Sequence, residues 1–362
     1  MRRRARAAIG LALASVSAVA ACTIVNGLEV QSPAGADASS DAADEVDSNV
    51  CPHALPPPKP SATGPGGSEI FVTALVSFDL GNRDGGDPVI YGFDLDNTCS
   101  CQGQPESCKS SGGKQCDLEG GLDDNGAGLA QLIQTLGGPD LSAEGAQNFK
   151  SGARGILMWV AGYNGLPDDD SVQVSLLVSP GTDDGGAPSF DGGDSWAVTD
   201  DQVTGGRGTL VPKTYSTGYV ANGTLVVQGT FDVDLVAGGR LSLAGYVSGT
   251  IAKRDGSFYL SRGVVAGRSS IATTIRVIGG ITKDGKKLCD PGSEKLFATL
   301  KSGVCGRADI MADPAGDGKD RACDGLSLGM GFVGAPAQFG SVRPQDSTPY
   351  CADADLSCPP SN

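Results

Sequence analysis

Carboxylates are the most abundant side chains in this sequence that could do chemistry. Asp outnumbers Glu about fivefold, and the formal net charge is −15. Asp is frequent in turns, where its short side chain bonds the nearby backbone, and its oxygens are also good ligands for Ca²⁺. Turn formation is the expected role of each acidic cluster, and a calcium site is the alternative, for which the candidate ligands are Asp84, Asp87, Asp94, Asp96, Asp124 and Asn125. Similar stretches surround Asn82, Asp123 and Asp313 to Asp320.

None of these clusters has the spacing of an EF-hand loop, which needs regularly placed oxygen ligands, a Gly at the sixth position and a Glu at the twelfth. Turn formation therefore remains the expected explanation for each cluster taken alone, with calcium binding as the alternative. We expect no other cofactor.

Two serines lie in motifs that hydrolases use. Residues Gly325–Gly329 match the nucleophile-elbow pattern, and residues Gly193–Trp196 resemble the serine block of GDSL-type esterases. In both families a histidine later in the chain serves as the general base. The only histidine here, His53, precedes both serines and lies in a Pro-rich segment, so serine hydrolysis is not expected.

The glycines from Gly329 to Gly334 spell a dinucleotide fingerprint, but Ala335-Pro336 follows where a helix should begin. A pair of catalytic carboxylates remains open, since any two acids could meet in the fold. Aromatic residues make up only 5% of the chain. Ordinary packing is the expected role of each, with sugar stacking as the alternative for Trp159, Tyr163, Trp196, Tyr215, Tyr219 and Tyr259.

The cysteines are expected to form disulfides. Of the 11 cysteines, Cys22 stands apart near the N-terminus, and the remaining ten are an even number: Cys51, Cys99, Cys101, Cys108, Cys116, Cys289, Cys305, Cys323, Cys351 and Cys358. Cys99, Cys101, Cys108 and Cys116 could instead bind zinc, but structural zinc pairs are usually two to four residues apart. Cys99 and Cys101 are too close in sequence to bridge each other, so each should reach elsewhere. Such a set of disulfides points to an oxidising compartment.

The elements that would position these residues are mainly strands. Apolar residues alternate with polar ones through residues 217 to 279, with turns at Gly238-Gly239 and Asp255-Gly256, which predicts an antiparallel meander that includes Ile271, Thr273, Ile275 and Val277. Further strands are expected at residues 70 to 79, 89 to 94, 155 to 161 and 172 to 178. Helices are expected around residues 129 to 136, 142 to 150 and 293 to 300. The predicted fold is mainly β, an antiparallel sandwich or curved sheet with a few short helices, stapled by disulfides.

The N-terminus carries a processing signal. Four arginines within the first six residues precede an apolar run from Ala7 to Ala21, which ends in Val19-Ala20-Ala21-Cys22. The run is 15 residues long, whereas a membrane-spanning helix needs roughly 20. This segment resembles the type II signal peptides of bacterial lipoproteins. The resemblance implies cleavage before Cys22, lipidation of its thiol and amine, and, because Thr23 rather than Asp follows, transport to the outer membrane.

The chain after Cys22 is predicted to begin with a tether. We divide the chain into a signal peptide at residues 1–21, a lipidated cysteine with an acidic, Pro-rich tether at residues 22–68, and a β-rich body at residues 69–362 with one or two lobes. The body resembles the uncharacterised surface lipoproteins of high-GC bacteria in composition only. That resemblance implies no active-site residues.

The expected function is therefore a non-enzymatic envelope lipoprotein that binds a ligand or serves a structural role. The alternative is a carbohydrate-binding or carbohydrate-active surface protein, stabilised by calcium. The strong acidity excludes a nucleic-acid partner, since phosphates require a basic surface. The expected partners are a membrane, through the lipid, and a glycan or an envelope protein.

Overall fold

The computed structural model describes residues 51–61, 66–81, 89–206, 208–234, 239–283, 285–318, 320–345, 351 and 354–358. These residues belong to one compact unit, Ala43–Asn362. The predicted signal peptide, Cys22 and the candidate ligands Asp84 and Asp87 lie outside the described residues.

Strands account for most of the regular structure. They are β1 (Glu69–Asp79), β2 (Gly155–Tyr163), β3 (Asp169–Ser179), β4 (Ser195–Thr199), β5 (Val203–Thr204), β6 (Val211–Pro212), β7 (Ser216–Ala221), β8 (Thr224–Asp234), β9 (Arg240–Arg254), β10 (Ser257–Ser270), β11 (Thr282–Lys283), β12 (Lys286–Lys287) and β13 (Gly325–Arg343). The helices are α1 (Gly126–Thr135), α2 (Leu141–Ser151), α3 (Ile271–Gly280) and α4 (Glu294–Gly306). The prediction of a mainly β fold is confirmed.

Eight antiparallel strands form a closed barrel in the order β1-β2-β3-β7-β8-β9-β10-β13, and β13 pairs back onto β1. Val72 shows the closure, because it is paired with Trp159 of β2 on one side and with Ala337 of β13 on the other. The C-terminal part of β13 also pairs with β4 in parallel. The curved antiparallel sheet thus closes on itself, and a sandwich is not confirmed.

Strand patterning shows which faces are buried. In β8, Leu225, Val227 and Phe231 are 4% exposed or less and belong to the main core, as their alternation predicts. In β2 both faces are buried: Met158 faces the main core, and Trp159 belongs to a second cluster around Trp196. A strand covered on both faces has a continuous apolar sequence, as residues 155 to 161 do.

The helices supply apolar side chains to the same main core. Ile133 of α1, Ile275 of α3 and Val304 of α4 are at most 1% exposed and cluster with Leu243 of the barrel. The predicted helices near residues 129 to 136, 142 to 150 and 293 to 300 correspond to α1, α2 and α4.

Two predicted strands are wrong. Residues 271 to 280 form α3, because the Ser270 side chain accepts a hydrogen bond from the amide of Thr273 and caps a helix whose buried face is Ile271, Ile275 and Ile278. Residues 89 to 94 form only isolated bridges, such as that between Phe93 and Asp123. The rest of the predicted meander is present as β7 to β10.

All ten cysteines after Cys22 are paired, as predicted. The disulfides are Cys51–Cys99, Cys101–Cys116, Cys108–Cys323, Cys289–Cys351 and Cys305–Cys358. Cys99 and Cys101 do reach different partners. The four cysteines considered for zinc are distributed over three disulfides, so their thiols are not available as ligands.

The Pro-rich segment from Cys51 to Pro60 contacts the body. The backbone of Ala54 bonds to Gly120 and to Asp94, and the Tyr219 hydroxyl donates to the carbonyl of Pro57. Together with the Cys51–Cys99 disulfide, these contacts hold this part of the predicted tether against the barrel, and with it His53.

Candidate functional site

A long irregular segment, residues 89 to 125, brings the acidic residues together. The segment packs tightly against β13, since a Cβ atom on Gly329 would lie 1.7 Å from the carbonyl oxygen of Tyr91. Phe93 also makes an edge contact with Tyr246 of β9. Three disulfides tie the segment down, two to Cys51 and Cys323 outside it and one within it, from Cys101 to Cys116. A segment whose strand pairing is limited to isolated bridges thereby acquires a fixed conformation.

Three carboxylates meet in this segment and form what we call the carboxylate cluster: Asp94, Asp96 and Asp123. One oxygen from each lies within 4.8 Å of the others. The three residues are 1%, 9% and 2% exposed. Burial of ionised carboxylates is costly unless a cation, a proton or hydrogen bonds compensate the charge.

Hydrogen bonds to the cluster are present but few. The amide of Thr98 donates to Asp96 at 2.9 Å and to Asp94 at 3.3 Å, and the amide of Leu95 donates to Asp123 at 2.7 Å. The imidazole of His53 contacts the other oxygen of Asp94. These contacts orient the carboxylates but leave much of their charge uncompensated.

The pKa values of the buried acids reflect this shortage of compensating charge. Burial, and then the charges of Asp96, Asp309 and Asp117, raise the pKa of Asp123 well above its usual range. Burial also raises the pKa of Asp96. Farther out, burial raises the pKa of Asp117 to about 7 and that of Asp309 to about 6. Mutual repulsion among buried acids is the pattern expected where a cation or a proton is needed.

Arg268 of β10, which is 4% exposed, lies beside the cluster through its contact with the carbonyl of Leu95. Its guanidinium forms an ion pair with Asp317 at 2.7 Å, and it donates to the carbonyls of Met311, at 3.0 Å, and of Leu95. Arg268 therefore compensates Asp317 first and anchors the backbone beside the cluster. It leaves Asp94, Asp96 and Asp123 without a full counter-charge.

Ser107 adds a neutral oxygen at the same place. The residue is 3% exposed, and its hydroxyl lies beside Asp96, where it offsets part of the rise in the pKa of that carboxyl that burial causes. The hydroxyl makes no hydrogen bond of normal geometry with any residue in the described ranges. A buried hydroxyl without such a bond is unusual and indicates a position that a water or an ion would satisfy.

The carboxylate cluster includes Asp94 and Asp96 from the predicted ligand set but not Asp124 or Asn125. Asp124 accepts hydrogen bonds from the amides of Ala127 and Gly329, both at 3.2 Å, and so joins the start of α1 to β13. The Asn125 side chain donates to the carbonyl of Arg307. Asp123, the preceding residue in the same acidic stretch, points to the cluster instead.

A second group of potential ligands consists of Cys51, His53 and Cys99. Both thiols are joined in a disulfide, so they cannot bind a metal as thiolates. Nδ1 of His53 lies 3.8 Å from the Cys99 sulfur, and it also contacts the carboxylate of Asp94.

The serines of the hydrolase-like motifs both lie in strands. Ser327 lies within β13, is fully buried, and donates its hydroxyl to Asp309. Ser195 begins β4 and pairs with Gln338. The first motif belongs to an extended strand, whereas a nucleophile elbow is a sharp turn between a strand and a helix.

A polar groove opens in the barrel wall between β3 and β8. The short strand β7 lies between β3 and β8. Its pairing reaches only to Val174 of β3 and to Val227 of β8. Beyond these two residues, β3 and β8 face each other with no strand between them. The space is about 440 Å³. We call it the wall groove, and the polar residues of its lining are Ser175, Asp201, Gln202, Thr214, Tyr215, Ser216, Thr230, Asp232, Arg240 and Ser242.

The candidate stacking residues differ sharply in exposure. Trp196, Trp159 and Tyr163 are 0%, 6% and 4% exposed and pack in the core. Tyr215 is 53% exposed at the wall groove. Among the six aromatic residues considered from the sequence, Tyr215 alone is more than half exposed in the described structure.

Comparison with known proteins gives no relative: no protein-family model, curated protein or solved structure matches the chain. No helix within the described ranges has the length and apolar character needed to span a membrane.

Proposed function

We propose that the chain is an exported bacterial lipoprotein that is anchored in the cell envelope through Cys22 and displays the barrel as a binding or structural body without enzymatic activity. The observation that supports it most is the cysteine pairing. Five disulfides use all ten later cysteines, and Cys22 is the one cysteine that they leave over. Its position after Val19-Ala20-Ala21 is the position that lipid modification requires.

Five disulfides also support export, since such bonds form and persist in oxidising compartments. Two or three acyl chains would hold the protein stably in a membrane, whereas a single chain binds only marginally. The outer membrane is the proposed destination, because Thr23 follows the lipidated cysteine. The partner in this proposal is the membrane itself.

Metabolic labelling with a fatty-acid analogue tests the anchor. We expect the full chain to incorporate the label and to sediment with membranes, and Cys22→Ser to lose both properties. Thr23→Asp is the matched control for sorting: it should remain lipidated but move to the inner membrane. Labelling of Cys22→Ser, or release of the wild-type body in soluble form, would refute the proposal.

We also propose that a calcium ion binds the carboxylate cluster and stabilises the body. Carboxylate and hydroxyl oxygens favour a hard cation such as Ca²⁺ over zinc. Oxygens within 4.8 Å of one another fit around an ion that lies about 2.4 Å from each, which is a normal calcium distance. Two independent features support the site: uncompensated buried charge at Asp123, and the buried hydroxyl of Ser107 beside Asp96.

Calorimetric melting with excess calcium and with chelator tests the ion. At a calcium concentration of about 100 times the dissociation constant, the free energy of unfolding should rise by about 2.7 kcal/mol. Asp123→Asn should remove the shift, because the amide keeps a hydrogen-bond acceptor for Leu95 but loses the charge. Asp255→Asn, at an exposed hairpin tip, should keep it. Equal melting with calcium and with chelator would show that protons alone neutralise the cluster.

A further inference from the structure

The wall groove has hydrogen-bonding groups that the protein does not use. Within the described residues, the hydroxyls of Ser216, Thr230 and Ser242 and the carboxylate of Asp232 make no hydrogen bond or ion pair. Elsewhere on this barrel, by contrast, the carboxylate of Asp234 is paired with Arg154. The groove therefore presents several donors and acceptors to whatever enters it.

An aromatic face accompanies these polar groups. The ring of Tyr215 lies 6.3 Å from that of Trp159 at an angle of 46°, so the buried Trp159 supports the exposed ring from one side. An exposed aromatic ring held by a rigid neighbour can receive the apolar C–H face of a ligand with little loss of entropy. The combination of an aromatic face with surrounding hydroxyls matches a sugar ring, which has apolar faces and a hydroxylated edge.

The charges in the groove favour a neutral ligand over an anionic one. Arg240 is engaged by Asp201 at 2.7 Å and by the hydroxyl of Thr199 at 3.2 Å, so its positive charge is compensated. Asp232 adds a negative charge that no described residue compensates. An anionic ligand would be repelled, both here and by the net charge of −15.

An extended peptide is the competing occupant, because a gap between two strands offers backbone groups for pairing. On the β3 side, however, the Gln202 side chain already occupies that position. Its amide oxygen accepts from the amide of Val178 at 2.7 Å, and its amide nitrogen donates to the carbonyl of the same residue at 2.8 Å. The edge of β3 is thus capped where a peptide strand would pair.

We propose that the wall groove binds a neutral carbohydrate, with Tyr215 stacking on a sugar ring and with Asp232, Thr230 and Ser242 bonding to its hydroxyls. The volume of about 440 Å³ falls in the range of small-molecule sites, roughly 300 to 1,000 Å³. This inference goes beyond the lipid anchor and does not depend on it.

Titration calorimetry on the full chain tests the groove. The probes are neutral hexasaccharides of glucose, xylose, mannose and N-acetylglucosamine, with hexagalacturonate as the anionic comparison. We expect binding of at least one neutral hexasaccharide and none of hexagalacturonate. Tyr215→Ala should weaken that binding about tenfold through lost stacking, and Asp232→Asn should weaken it severalfold.

Tyr259→Ala is the matched control, because Tyr259 lies outside the groove lining and is also partly exposed. It should bind like the wild type. If Tyr215→Ala does not fold, as judged by calorimetric melting, Asp232→Asn carries the test. Failure of all neutral hexasaccharides to bind, unchanged affinity in both groove variants, or binding of an unstructured peptide in the groove instead would overturn the inference. Loss of lipid labelling would leave it unaffected.

Discussion

Asp96 and Asp123 bring carboxylate oxygens to within 4.8 Å of each other in a buried site, and the charge of Asp96 raises the pKa of Asp123. The two residues are 27 positions apart on an irregular segment whose path is fixed by disulfides and by contacts with β13. Because the two buried carboxylates repel each other, the stability of this region depends on whether a proton or a cation neutralises their charge.

The first prediction concerns pH in the absence of metal. Burial raises the pKa of Asp117 to about 7 and that of Asp309 to about 6, and it also raises that of Asp123, whereas an unfolded Asp titrates near 3.9. The folded chain therefore binds more protons than the unfolded chain between about pH 4 and pH 7. Stability is greatest below that window and falls as pH rises through the folded pKa values. In chelator, the melting temperature should decrease as pH rises from about 5 to about 8.

Calcium should reverse this trend, because ion binding needs deprotonated carboxylates and strengthens with pH. Asp123→Asn in chelator should show a smaller pH dependence than the wild type, and Asp255→Asn should show the same one. The exposed acids with lowered pKa values, such as Asp184 and Asp191, are ionised in both states above about pH 5 and add little slope from there to pH 8. A melting temperature that rises with pH in chelator would contradict the assignment.

The second prediction concerns Arg268. Its guanidinium joins Asp317 to the carbonyls of Met311 and Leu95, and it is nearly inaccessible to solvent. Arg268→Met would leave these groups without a partner and should lower the free energy of unfolding by about 3 to 5 kcal/mol. Arg268→Lys should also destabilise, since one ammonium cannot reproduce the planar fork. Arg276→Met, on the exposed face of α3, is the control and should have little effect in urea denaturation.

The sequence predicts the half-covered strands well. In β8, the alternation of Leu225, Val227 and Phe231 with polar residues matches the burial of those three side chains. It predicts α3 poorly, because Ile271, Thr273, Ile275 and Val277 also alternate. The Ser270 cap and the spacing of Ile271, Ile275 and Ile278 were the signals for a helix.

The longest strand, β13, was not predicted because its glycines interrupt any apolar pattern. The structure explains Gly329 and Gly331, which lie against the backbone and ring of Tyr91 with no room for a side chain. The sequence predicted only part of the candidate site. Asp94 and Asp96 are close in sequence, but their proximity to Asp123, Asp117 and Asp309 depends on tertiary contacts that no local spacing encodes.

The third prediction tests the packing of residues 89 to 94 on β13. A Cβ on residue 329 would lie 1.7 Å from the carbonyl oxygen of Tyr91, so Gly329→Ala must displace the segment that carries Asp94. We expect a loss of stability of about 1 to 3 kcal/mol and a weaker calcium response. Gly206→Ala, at a loop position with no atom within 4 Å of the new Cβ, should change neither property. Denaturant titration with and without calcium measures both effects.

The fourth prediction compares a buried aromatic residue with an exposed one. Trp196 is fully buried in the second cluster, between β4 and the outer face of β2, whereas Tyr215 is mostly exposed. Trp196→Ala should cost about 3 to 5 kcal/mol of stability through the cavity it leaves. Tyr215→Ala should cost much less while it weakens carbohydrate binding. Comparable destabilisation by the two substitutions would show that Tyr215 has a packing role rather than a binding role.

The fifth prediction separates the disulfides by the length of chain that each one closes. Cys108–Cys323 spans 215 residues and joins the irregular segment to the loop before β13, whereas Cys101–Cys116 spans 15 residues within that segment. A cross-link stabilises mainly by restricting the unfolded chain, by about 3 kcal/mol for a 15-residue loop and by more for a longer one. Replacing both Cys108 and Cys323 with Ser should therefore lower the denaturant midpoint more than replacing Cys101 and Cys116. Because the long bond also fixes the segment that holds Ser107, the first double variant should lose more of its calcium-induced stabilisation. An equal loss of stability in the two double variants would mean that native contacts, rather than the cross-link, set the cost.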